Sequence, residues 1–69
     1  MKHPRITIDP KVMGGVPCIR GLRIPVKTVI DMLAQRMSMS EILSAYPDLE
    51  SEDINAALSY AAESARGKQ

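Results

Sequence analysis

Arg20 and Arg23 bracket Gly21 in a stretch rich in turn residues. A guanidinium pairs with phosphate through a planar fork, and glycine lets the backbone come close to a ligand, so this trio reads as a phosphate or groove contact on nucleic acid. A structural role is the other reading: either arginine caps the carboxyl end of a helix or pairs with an acid such as Asp48. Lys11 and Lys27 are solvated cations that would add sequence-independent attraction to a duplex. Farther along, Asn55 and Ser59 lie one helical turn apart, an amide suited to adenine and a hydroxyl suited to phosphate. Glu52 and Glu63 share that outward face with Ala56 and Arg66, and they would meet phosphates with like charge. The same face therefore also reads as a surface for basic groups of a protein partner or second subunit.

No catalytic constellation accompanies these residues. One histidine, His3, and one cysteine, Cys18, supply neither a nucleophile–base pair nor the ligands of a closed zinc site, and no glycine loop opens a helix to cradle phosphate. The expectation is a chain that is not an enzyme, with no cofactor, no metal and no small-molecule substrate. Cys18 sits among apolar residues and reads as a small core residue, His3 as free near the terminus, and the five methionines as core or interface filler. A lone cysteine excludes an internal disulfide. There is no apolar run of about 18 residues to span a membrane. The opening Met-Lys-His-Pro-Arg lacks a signal peptide's apolar stretch, so a cytoplasmic location and no membrane partner are expected. Tyr46 and Tyr60 are too few for an aromatic platform that stacks single-stranded bases.

The elements that position these residues follow from periodicity. Residues 4–9 alternate polar and β-branched side chains, which predicts a short strand with Ile6 and Ile8 on one face, ended by Pro10. Gly14-Gly15 marks a turn. Residues 16–20 and 23–25 read as extended pieces separated by Gly21, because Pro25 pushes Ile24 out of the helical region. From Val26 the period changes. Val26, Val29, Ile30, Leu33 and Met37 form a helical stripe, with Lys27, Asp31 and Gln35 pointing away, which predicts a helix over 26–36. Ser38 with Glu41 three residues on matches a capping box and opens a second helix over 39–45, with Ile42 and Leu43 inward and a stop before Pro47. A third helix starts near Ser51, with Glu52 and Asp53 favoured at its positive end and Ile54, Ala57, Leu58, Ala61 and Ala65 inward. Gly67 is its expected stop.

The fold class is therefore mainly α: a three-helix core over 26–66 preceded by a short β arm over 1–25, one domain over 1–69. The last two helices are joined by about five residues, a loosened helix-turn-helix, and three helices with a basic arm resemble the homeodomain layout. A chain of 69 residues buries only about 60% of its unfolded surface, which favours a partner or a second copy. Hydrophobic residues at 45% and charged residues at 25% argue against disorder. Net charge is only +1, yet residues 1–36 hold seven Lys/Arg against two acids and residues 37–69 hold two against six. That asymmetry suggests two halves facing different neighbours.

The ordered string Gly14-Gly15-Val16-Pro17-Cys18-Ile19-Arg20-Gly21-Leu22-Arg23-Ile24-Pro25-Val26 resembles the signature of domain-of-unknown-function family 433. Met37-Ser38-Met39-Ser40-Glu41-Ile42-Leu43 and Tyr46-Pro47-Asp48-Leu49, followed by Glu52-Asp53-Ile54 and 56–62, resemble the family's second and third helices, so the likeness runs over about 4–62. The resemblance implies a homeodomain-like, winged-helix-like core and an antitoxin-like (VapB-type) protein of a type II toxin–antitoxin pair. Such a protein would be a homodimer that silences a PIN-like ribonuclease toxin and represses its own operator DNA. On that reading Lys11, Arg20, Arg23, Lys27, Asn55 and Ser59 are the candidate DNA contacts. The alternative is a protein-binding module that never touches DNA. The chain departs from the family pattern at Leu22, where Thr is usual, at Met39 in place of Pro, and at Glu50 in place of a capping Thr, with Ser51 available to cap instead.

Overall fold

Two residues on each strand are enough to set the arm. The computed structural model describes residues 3–67, so Lys2 and Lys68, counted in the charge balance, lie outside the described residues. Strand β1 (Ile6–Thr7) pairs antiparallel with β2 (Cys18–Ile19), with Ile6 opposite Ile19 and Thr7 opposite Cys18. The Ile24–Pro25 segment lines up on the other side of β2: Ile19 N–H donates to Ile24 O at 3.0 Å and Val26 N–H to Pro17 O at 2.9 Å. A tight turn at Met13–Gly15, with all three residues at positive φ, connects the strands. Ile6 is buried as expected, but Ile8 is 62% exposed. The pairing stops at Thr7, so the alternation that would have turned Ile8 inward no longer applies.

Helix α1 (Val26–Ala34) starts directly after Pro25, α2 (Met39–Ala45) follows, and α3 (Ser51–Gly67) is the longest. Three helices and a two-stranded antiparallel sheet make the chain mainly helical. α3 packs against α1, α2 and β1, so it is the axis of the assembly. The core is Ile6 and Ile19 from the arm, Val26, Val29 and Met32 from α1, Ile42 from α2, Leu49 from the connection, and Ile54 and Ala57 from α3.

The ends of α1 correct the expected helix. It stops at Ala34, two residues early, in a Schellman motif: Met37 N–H donates to Met32 O and Arg36 N–H to Leu33 O. Arg36 takes the left-handed conformation there, φ 67°, where glycine is usual. Met32 is buried and Ile30 and Leu33 only half-buried, so the inward stripe is rotated from the expected one. The capping box of α2 forms as read: Ser38 Oγ accepts from Glu41 N–H at 3.1 Å, and Glu41 Oε1 accepts from Ser38 N–H at 2.7 Å. The expected cap on α3 does not form at Ser51, whose hydroxyl donates instead to Glu52 Oε1. Asp53 supplies the reciprocal half of a capping box instead: its Oδ2 accepts from Glu50 N–H, just before the helix, at 2.8 Å. On α3 the expected inward Leu58 is 46% exposed, because Ile54 and Ala57 define the buried line and Leu58 falls beside it.

Candidate functional site

Asp53, beside core residue Ile54 at the start of α3, is fully buried, with no solvent exposure of its carboxylate. Burying an unpaired charge is prohibitive, and two arginines from the arm resolve it. Arg20 donates from Nε at 3.0 Å and from Nη2 at 2.8 Å, a two-pronged grip, and Arg5 donates from Nη1 at 2.9 Å. Burial pushes the Asp53 carboxyl up, but the hydrogen bonds from Arg20, from Glu50 N–H and from Arg5 outweigh it and hold the group at about 2. Both guanidiniums are pushed higher still: Arg5 first by its bond to Glu50 and then by Asp53, Arg20 by its bond to Asp53.

The arm is shaped for this grip. Ile19, Arg20, Gly21 and Leu22 form a tight turn closed by Leu22 N–H to Ile19 O at 2.7 Å, with φ 45° at Arg20 and 73° at Gly21. Positive φ at both central positions is the type I′ pattern of two-residue hairpin turns. Gly21 N–H is received by Thr7 Oγ1 at 2.8 Å, and Arg20 N–H by Arg5 O at 2.9 Å, which sets the two arginines side by side. Arg20 Nη2 also donates to Asp48 O at 2.7 Å and Arg5 to Glu50 Oε1 at 2.8 Å. Part of the lopsided charge thus complements itself within the fold: arm cations meet acids at the start of α3. Asp53 and Arg5 were not singled out from the sequence. The available signal was the register of Asp53, which sits one turn before Ala57 on the buried line of α3.

The other candidates stand apart from this cluster. Arg23 and Lys11 are exposed and engage in no ion pair among the described residues. Lys27 lies 3.3 Å from Asp31 one turn on, at the surface. Asn55 and Ser59 are exposed on α3, as their spacing implied. No hydrogen bond or ion pair joins Lys11, Arg23, Asn55 and Ser59 to one another. Cys18 is buried as read, with Sγ donating to Val16 O. His3, read as free, is not: its ring meets Tyr60 edge-on at 5.4 Å, and Nε2 lies 3.3 Å from Glu63 Oε1. No helix among the described residues is long and apolar enough to cross a membrane.

Two apolar recesses mark the surface. One, of about 710 Å³, lies along the outer edge of β1 between Pro4 and Pro10, with Ile8 exposed in it. The other, also about 710 Å³, is an open groove between the start of α1 and the last turns of α3, lined by Met13, Val16, Pro25, Ile30, Ala61 and Ala65 among others.

Residues 6–61 match the family described as protein of unknown function (DUF433). A relative, the uncharacterized protein y4eO of Sinorhizobium fredii (strain NBRC 101917 / NGR234), is 39% identical over 56 residues, covering 81% of this chain and 25% of its own. The crystal structure of a DUF433 member protein from Anabaena variabilis ATCC 29413 superposes with a TM-score of 0.85 at 37% identity, over 97% of this chain and 66% of that one. The chain thus spans about a quarter of the curated relative's length and 66% of the solved one's. The matched residues take in both strands, the Arg20–Gly21 turn, Asp53 and most of α3, and on that match the chain belongs to the DUF433 family.

Proposed function

We propose that this chain is an antitoxin-like (VapB-type) protein-binding module, one that silences a PIN-like ribonuclease by direct contact. The observation that carries the reading is the outer edge of β1, an edge of a two-stranded sheet with Ile8 62% exposed beside it. An extended segment of a partner can lie along this edge, where Ile6 N–H is already held by His3 O at 3.0 Å, so exposed Ile8 and the neighbouring apolar recess carry the contact. The test is co-expression with the protein encoded beside it, followed by a pull-down and a ribonuclease assay. Co-purification with loss of nuclease activity supports the reading, provided that Ile8→Asp weakens both. Failure of the native chain to restrain the nuclease overturns it.

A second reading, operator binding by a homeodomain-like helix-turn-helix, is favoured by one observation: Arg23 is exposed and without an ion pair among the described residues. On this reading α2 and α3, joined through 46–50, are the helical pair and Lys11 and Arg23 supply the phosphate contacts. Arg20 contributes less, because its guanidinium is held by Asp53, and Lys27 less, because the Asp31 carboxylate 3.3 Å away would face the same phosphates with like charge. Asn55 and Ser59 would have to reach bases past Glu52 on the same helix.

A further inference from the structure

We infer that His3 and Glu63 form an open binding site for a tetrahedral divalent cation, zinc in the first place, between the segment ahead of β1 and α3. His3 Nε2 is buried and makes no hydrogen bond among the described residues, although Glu63 Oε1 lies 3.3 Å away. Close approach without hydrogen-bond geometry sets the lone pair of a neutral ring beside a carboxylate, and a shared cation satisfies both. The spacing selects the kind of cation. A nitrogen and an oxygen each about 2.0–2.1 Å from a tetrahedral zinc ion lie about 3.3–3.4 Å apart. Ligands at right angles, as around octahedral magnesium or square-planar copper, lie only about 2.8–3.0 Å apart at similar bond lengths.

Both ligands are held in place by the fold. His3 O accepts from Ile6 N–H at 3.0 Å, which fixes the backbone, and the His3 ring meets Tyr60 edge-on at 5.4 Å. Glu63 follows Tyr60 by three positions on α3, so the ring stands against one helix face. A recess of about 370 Å³ opens beside the pair, lined also by Pro4, Arg5, Ala56 and Ser59. No third His, Cys, Asp or Glu among the described residues joins them. The remaining coordination positions therefore fall to water in the recess, beside the Ser59 hydroxyl one turn before Glu63. The charge of Arg5 is already met by Glu50 and Asp53, so it opposes a cation less. One histidine and one cysteine exclude a closed structural zinc site, whereas this open one asks for a single imidazole and a single carboxylate and binds more weakly.

Zinc chloride titrated into the intact chain provides the test, at neutral pH and without a histidine tag. Calorimetry and thermal melts read binding, and circular dichroism confirms helix content. One zinc per chain is expected, with a rise in melting temperature that a chelator reverses. His3→Ala and Glu63→Gln are each expected to weaken binding at least about tenfold with helix content retained. Cobalt, as a spectroscopic stand-in for zinc, is expected to give the intense visible absorption of a tetrahedral site. A native chain that zinc neither binds nor stabilises overturns the inference. So does binding that survives His3→Ala. Binding lost in His3→Ala but kept in Glu63→Gln overturns it too, since other groups would then hold the ion beside the ring. The weak absorption of octahedral cobalt would overturn the tetrahedral pair.

Discussion

Arg20 grips Asp53 across 33 positions of the chain, with Nε 3.0 Å from Oδ1 and Nη2 2.8 Å from Oδ2. This pair holds the arm to α3, and it also holds Arg20 in a left-handed backbone conformation that costs a non-glycine residue about 1–2 kcal/mol. Removing one partner of a buried pair strands the other, which typically costs about 3–5 kcal/mol. Asp53→Ala is expected to lose stability near the lower end of that range, since both arginines are only partly buried and keep Glu50 and the Asp48 carbonyl as partners. Arg20→Ala loses the grip but leaves Arg5 on Asp53, and is expected to cost less. Arg20→Gly loses the same grip while relieving the backbone, so it should be more stable than Arg20→Ala by about 1 kcal/mol. Urea denaturation of the three variants checks the ranking.

The same cluster sets the acid limit of the fold. The Asp53 carboxyl titrates at about 2 when folded, against 3.8 as the ordinary value. A depressed folded value means stability that is fully present above pH 3.8 and is lost as pH falls toward 2. The amount is on the order of 2 kcal/mol. Thermal melts between pH 2 and pH 6 should show this loss in the native chain. Asp53→Asn should be less stable at neutral pH and flatter across the acid range. An equally steep acid loss in Asp53→Asn would place the responsible group elsewhere.

Sequence periodicity found the elements because each boundary has a local cause. Ser38 with Glu41 starts α2, Pro47 stops it, and Pro25 keeps Ile24 extended. The arm, the helices and the burial of Cys18 all follow from such local signals. What escaped was long-range. Nothing near Asp53 in the chain says that Arg5 and Arg20 will meet it, so an acid in the first turn of a helix read as a partner of the helix dipole. Ile8 departs from the expected alternation for the converse reason: the sequence pattern continues where strand pairing has ended. His3 likewise found Tyr60 and Glu63 through the fold alone.

The early end of α1 was hidden because its left-handed residue is Arg36 and not glycine. The two Schellman hydrogen bonds hold that conformation in place, and the side chain of Arg36 is exposed with no ion pair among the described residues. Arg36→Gly therefore removes strain without removing a contact. It is expected to raise stability by about 0.5–1 kcal/mol, in contrast to the usual loss on placing glycine near a helix. An upward shift in the melting temperature checks this, and a downward shift would mean that the Arg36 side chain contributes more than its geometry indicates.

Arg20 and Arg23 differ by three positions but by kind of role, and DNA binding separates them. Arg20 is committed to Asp53 and to the Asp48 carbonyl, whereas Arg23 is exposed in the loop leading to α1. If operator DNA is bound, Arg23→Ala should weaken binding uniformly across sequences and reduce the slope of log affinity against log salt by about 1, without changing the melting temperature. Arg20→Ala should lower the melting temperature and, at temperatures where the chain is folded, leave the salt slope nearly unchanged. Fluorescence anisotropy with a labelled duplex at several salt concentrations reads both. A salt slope that responds to Arg20 and not to Arg23 would mean that the grip on Asp53 opens on DNA, and the assignment of the two arginines would be reversed.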